Sequence, residues 1–169
     1  MPATTPLTDP ESFYNLVASV ELAAAAGLAE CEITPETRII GWSAPPEDCC
    51  GLAVWPGDIR HDPAFQVQGM DTAMCATAFL IDIHIRYSEC FVDTHEDGSV
   101  LPEAEINALS AELYKNVFWC LYLRWWCRWV AGEIEELDGC IPIRQGPISP
   151  YAGGGCGGGE FIVTVRVFR

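Results

Sequence analysis

The run TAFLIDIHIRY, residues 77–87, has one regular reading. Thr77, Phe79, Ile81, Ile83, Ile85 and Tyr87 alternate with Asp82, His84 and Arg86. A two-residue period places the first set on one face of a β-strand and the second on the other. One face must therefore be buried, and the other is wet or lies against a partner. The closing run EFIVTVRVFR repeats the pattern, with Phe161, Val163, Val165 and Val167 opposed to Thr164 and Arg166. Two such strands need a covering layer, and the chain supplies two long helical stretches.

The first helix is expected to open at Thr8-Asp9-Pro10-Glu11, where an oxygen-bearing cap, an early Pro and a Glu three residues after Thr8 coincide. It runs to about Ala29, with Phe13, Leu16, Val17, Val20 and Ala24 as an apolar stripe. Residues 31–48 read as a loop holding a short extended piece from Arg38 to Trp42. A strand follows from about Cys50 to Trp55, ended by a Pro56-Gly57 turn, and HDPAFQVQGMD reads as irregular. After the THEDGS turn, Pro102 opens a long helix with Glu103 and Glu105 in its first turn, where the helix dipole favours acid. Its pattern reaches about Glu135. CIPIRQGPIS then reads as an edge strand, because Pro142 and Pro147 lack a ladder donor, and PYAGGGCGGG reads as a long, loose connection. The expectation is one domain over 1–169, an α+β fold with an antiparallel or mixed four-stranded sheet flanked by two main helices in the order α-β-β-α-β-β.

Charge narrows the function. Nine Lys and Arg against 24 Asp and Glu give a net charge of −15. Nucleic-acid affinity is built mainly from cations displacing counterions, so this balance argues against sequence-specific DNA binding and suits a wall along which DNA slides. MPATTPLTDPE lacks a basic segment followed by an apolar run, so synthesis is expected in the cytosol. In that compartment the nine cysteines read mostly as small buried hydrophobes.

Chemical motifs are weak. His84, Cys90 and His95, or the doublet Cys49-Cys50, do not form the paired short spacings that bring two donors into one zinc tetrahedron. The run from Asp93 to Ser99 starts like a calcium loop, but it has His at the third position and Ala104 where the bidentate Glu belongs. No phosphate loop, dinucleotide fingerprint or hydrolase elbow occurs in the sequence.

FWCLYLRWWCRWV, residues 118–130, contains four of the six tryptophans. It is shorter than the roughly 20 apolar residues of a membrane span and is interrupted by Arg124 and Arg128. It is flanked by glutamates and not set in the basic groove that single-strand stacking needs. On a helix, Leu109, Leu113, Val117, Cys120 and Leu121 form one stripe, and Tyr122, Trp125, Trp126 and Trp129 extend the apolar surface around the cylinder. Two readings stand: the first helix packs across the second, or the surplus meets another subunit.

Three stretches resemble the tail terminator family, neck proteins of long-tailed phages of actinobacteria. They are Cys49-Cys50-Gly51-Leu52-Ala53-Val54, the strand from Cys75 to Tyr87, and the closing block from Gly146-Pro147 through GGGCGGGEFIVTV. Together they cover the chain from about residue 49 onward. The resemblance implies an α+β protomer closed into a ring, expected to be a hexamer, that caps the tail tube and joins it to the head-side connector or stopper protein. It implies a structural virion protein with no catalytic residue, cofactor, metal or membrane, through which DNA passes without specific binding.

The expected subunit contacts are Trp119, Tyr122, Trp125, Trp126, Trp129, Arg124 and Arg128 of the aromatic helix, with Gly154 and Gly155 of the glycine run. Asp58, Asp62, Asp93, Glu96 and Asp97 are candidates for a channel wall, and Cys140 and Cys156, flanking the last connection, are a candidate disulfide. The alternatives are another neck or tail-tube subunit, or a small enzyme pairing Cys50 or Cys90 with His84 or His95.

Overall fold

The computed structural model describes residues 10–46, 51–65, 78–90, 99–153 and 156–168. Helix α1 (Pro10–Ala29) leads to strand β1 (Arg38–Ile40), β2 (Gly51–His61), a 3-10 turn at Pro63–Phe65 and β3 (Ala78–Cys90). The second helical region is continuous in three parts: α2 (Glu103–Leu113), a π-helical segment (Tyr114–Trp125) and α3 (Trp126–Val130). A 3-10 turn at Glu135–Leu137, β4 (Ile141–Gln145), β5 (Ser149–Gly153) and β6 (Cys156–Phe168) complete the fold.

The architecture is α+β, with two main helices on a six-stranded mixed sheet in the order β1-β2-β3-β6-β4, while β5 also pairs with β6. Four strands were expected. The piece at Arg38–Ile40 adds a parallel edge beside β2, and the segment read as a loose glycine connection is two more stretches of ladder. β4 pairs with Val163–Arg166 and β5 with Cys156–Glu160, so the two lie end to end along one side of β6. Gly146 bridges them by donating its N–H to the Ile162 carbonyl at 2.7 Å.

Glycine is required in this ladder by close approach. A Cβ on Gly158 would stand 2.0 Å from the Tyr87 carbonyl oxygen, and one on Gly159 would stand 2.6 Å from Cγ1 of Val117. The glycines let strand and helix touch backbone, a use the run does not announce in sequence. Pro56-Gly57 likewise does not end β2. The register passes from Pro56↔Ile83 to Ile59↔Ile81, one residue extra on β2, which is a β-bulge that carries the strand on to His61.

The alternation in β3 and β6 does what it implies. Ile81, Ile83 and Ile85 with Phe161, Val163 and Val165 are buried under the helices, joined by Leu52 and Val54 of β2. From α1 come Leu16, Val17, Val20, Ala24 and Leu28, and from the second helical region Val117, Leu121, Trp125 and Trp129. By length and composition Glu11–Ala29 is apolar enough to cross a membrane, yet half of that window is buried within this protein. Its Glu21 is buried and takes a bidentate pair of hydrogen bonds from Arg38, at 2.5 and 2.7 Å, tying α1 to the edge strand.

Candidate functional site

In the second helical region the residues Val117, Leu121, Trp125 and Trp129 recur every four positions and are all buried. In an α-helix a four-residue step drifts by about 40°, so such a stripe would wander off the sheet. The wider i→i+5 turns from Tyr114 to Trp125 reduce that drift and keep the row on the core. Trp125 is 2% and Trp129 3% exposed. Both rings, expected at a subunit contact, instead belong to the protomer's interior. Gly27 of α1 makes room for Trp125, since a Cβ there would lie 3.0 Å from its indole.

The remaining expected contacts divide. Tyr122 is half-buried, donates its hydroxyl to the Gly146 carbonyl at 3.0 Å and meets Phe161 edge-on at 5.2 Å. Trp126 is packed against the core and lies 5.7 Å from Trp129. Arg124 and Arg128 both pair with Glu30 at the end of α1, Arg124 at 3.2 Å. These pairs serve the joint between the helices. Trp119 alone of the named tryptophans stands well out, 58% exposed. Gly154 and Gly155 lie outside the described residues, as do Cys49, Cys50, Cys75, Asp93, His95, Glu96 and Asp97.

Beside Trp119 the helix leaves more apolar surface open. Tyr114 is 73% exposed and Phe118 is also exposed, its ring stacked 5.7 Å from Tyr122. Below them lies a cleft of about 440 Å³. Ser110, Leu113, Tyr114, Val117 and Phe118 form its helical wall, and Ile148, Pro150 and Tyr151 its outer rim. Its floor is Gly157 to Gly159, backbone without side chains. The signal that could have located it is the pair Tyr114 and Phe118, four residues apart and flanking Val117 of the buried row.

The opposite face of the sheet is polar and tied to itself. His84 stacks on Trp55, centroids 5.0 Å apart at 13°, and its Nδ1 is 3.2 Å from Oε1 of Glu160. The Arg86 guanidinium lies between the Trp55 and Tyr151 rings, at 4.9 and 4.2 Å, and donates twice to Oε2 of Glu160. Asp82 accepts from Arg60 at 2.6 and 3.1 Å and from the Thr164 hydroxyl at 2.6 Å. These bonds cross three strands and fix their register. Cys90 is six residues from His84 along the same strand, about 20 Å away, so the structure does not bring that proposed pair together. Among the described residues no three His, Cys, Asp or Glu side chains converge as a metal site.

Two other expectations change. Asp62, a channel-wall candidate, is 3% exposed and accepts from Nε of Arg166, whereas Asp58 stays exposed at the bulge. Cys140 is a free thiol pushed up to about 11 by burial, and Cys156 is disulfide-bonded elsewhere, so the Cys140–Cys156 bridge is not formed. A different disulfide, Cys31–Cys120, joins the end of α1 to the π-helical segment across 89 residues.

The paired carboxylates make acid the weak side of the fold. Burial alone would raise Asp82, but hydrogen bonds from Arg60 and Thr164 hold it below its ordinary 3.8. Burial acts the same way on Asp62, which the Ala64 N–H and Arg166 hold below that value. A carboxyl depressed in the folded state contributes stability above 3.8 and loses it as pH falls through the depressed value. The urea midpoint is therefore expected to be flat from about pH 7 to 5 and to fall below about pH 4. Arg60→Met should lower the plateau and shallow that fall, which chemical denaturation across pH would read.

Compared with known proteins, the chain matches no family model and no curated protein.

Proposed function

We propose that the chain is a structural subunit of a ring at the head–tail junction of a tailed phage, capping the tail tube and meeting the head-side connector while DNA passes through. The observation that carries this reading is the open apolar surface of Tyr114 and Phe118 on a cleft at one edge of the sheet, with Trp119 exposed on the same helix. Soluble monomers seldom leave neighbouring aromatic rings uncovered, and a partner is the ordinary reason for it. A net charge of −15 supports a wall past which a phosphate backbone moves without sticking. The resemblance of the strand and glycine blocks to tail terminators supplies the particular position, and other neck layers are the alternative.

Light scattering and negative-stain microscopy of purified protein test the ring, and immunogold labelling of virions tests its place. Closed rings and label at the neck are the expected results. A protein that stays monomeric and is missing from particles would sink the reading.

A further inference from the structure

We propose that copies of the chain join head to tail by seating Trp42 of one copy in the apolar cleft of the next, a contact that rests on the ring reading above and gives it a specific interface. Trp42 follows β1 at one edge of the sheet, and the cleft lies at the other, where β5 pairs with β6. Two unlike surfaces on opposite edges of one molecule define a heterologous interface, the kind that closes into a ring when its rotation divides the circle.

The two surfaces suit each other. Trp42 is 83% exposed, the most exposed large apolar side chain among the described residues, and Phe13 steadies it by an edge-on ring contact at 6.4 Å. The cleft, at about 440 Å³, has room for an indole, and its flat glycine floor between Tyr114 and Pro150 favours a planar ring. Aromatic side chains bury about 150–250 Å² each, so Trp42 and Tyr114 at their present exposure supply about a fifth of the ~1,600 Å² in a standard interface. The strand edges beside them supply further area. Of the charges nearby, exposed Glu32 and Glu36 precede β1, and exposed Lys115 follows Tyr114 on the helix beside the cleft, with exposed Glu112 next to it.

Trp42→Ala removes the knob, and Ser110→Trp fills the cleft from a half-exposed helix position. Each variant should keep the wild-type circular dichroism and weaken self-association by about 30-fold or more in light scattering. Mixed in equal amounts, the two should form a one-to-one dimer and nothing larger, because the mixture holds one intact knob and one intact cleft per pair. Rings that persist in both variants would overturn this contact and leave the ring reading standing. Monomeric variants that fail to pair on mixing would also overturn it. A wild-type protein that is monomeric at its highest soluble concentration would remove the ring reading, and the contact with it.

Discussion

Trp125→Ala is expected to lower the free energy of unfolding by about 3–5 kcal/mol, the largest effect of any single side chain in the helical layer. The indole is almost wholly enclosed, packed on Trp129 at 5.2 Å and facing Phe161 at 6.4 Å. Truncation leaves a cavity that Gly27 of α1 has no side chain to fill. Its Nε1 finds no hydrogen-bond partner among the described residues, so Trp125→Phe should cost distinctly less, losing ring area but also removing a buried donor that makes no bond. Trp119→Ala, six residues earlier and mostly exposed, should change the monomer by no more than about 0.5 kcal/mol. Urea midpoints of the three variants at constant m-value check the ranking. Equal costs at positions 119 and 125 would contradict the burial described above.

Replacing Cys31 and Cys120 together by alanine should destabilise the protein by about 2–5 kcal/mol under non-reducing conditions. The cross-link closes 89 residues, and loop-closure entropy for that length gives about 4–5 kcal/mol, toward the upper end. The bond lies beside the Glu30 pairs with Arg124 and Arg128, so one corner of the helical layer concentrates covalent and ionic ties. The double variant must be compared with wild type in the absence of reductant, because Cys156 is bonded too and reductant would open both bridges. Coincident denaturation curves would show that the cross-link adds nothing.

The parts of this fold that were legible in sequence are those where side-chain period alone decides. Ile81, Ile83 and Ile85 could be assigned to the buried face because a two-residue repeat has no helical equivalent, and the same holds for Val163 and Val165. The glycine run misled for a physical reason. Glycine signals freedom when read along a chain, yet here it marks places where neighbouring atoms leave no space for a Cβ, the Tyr87 carbonyl above all. The aromatic helix was half legible. Its apolar excess over one sheet face was evident, but assigning Trp125 and Trp129 to the inside requires the wide π-helical turns, which no spacing rule for an α-helix contains. The cleft was legible only in its wall, the pair Tyr114 and Phe118, since its floor is backbone. Trp42 carried no periodic signal at all, being a lone ring in a loop.

The Cys31–Cys120 tie also has an order in time. During translation Cys31 leaves the ribosome roughly 5–20 s before Cys120, and Cys49, Cys50, Cys75 and Cys90 are offered to it in between. Oxidation of Cys31 before Cys120 emerges would join it to a wrong sulfur. The native link can therefore be sealed only after the helices have docked, and it serves as a receipt for tertiary structure already achieved.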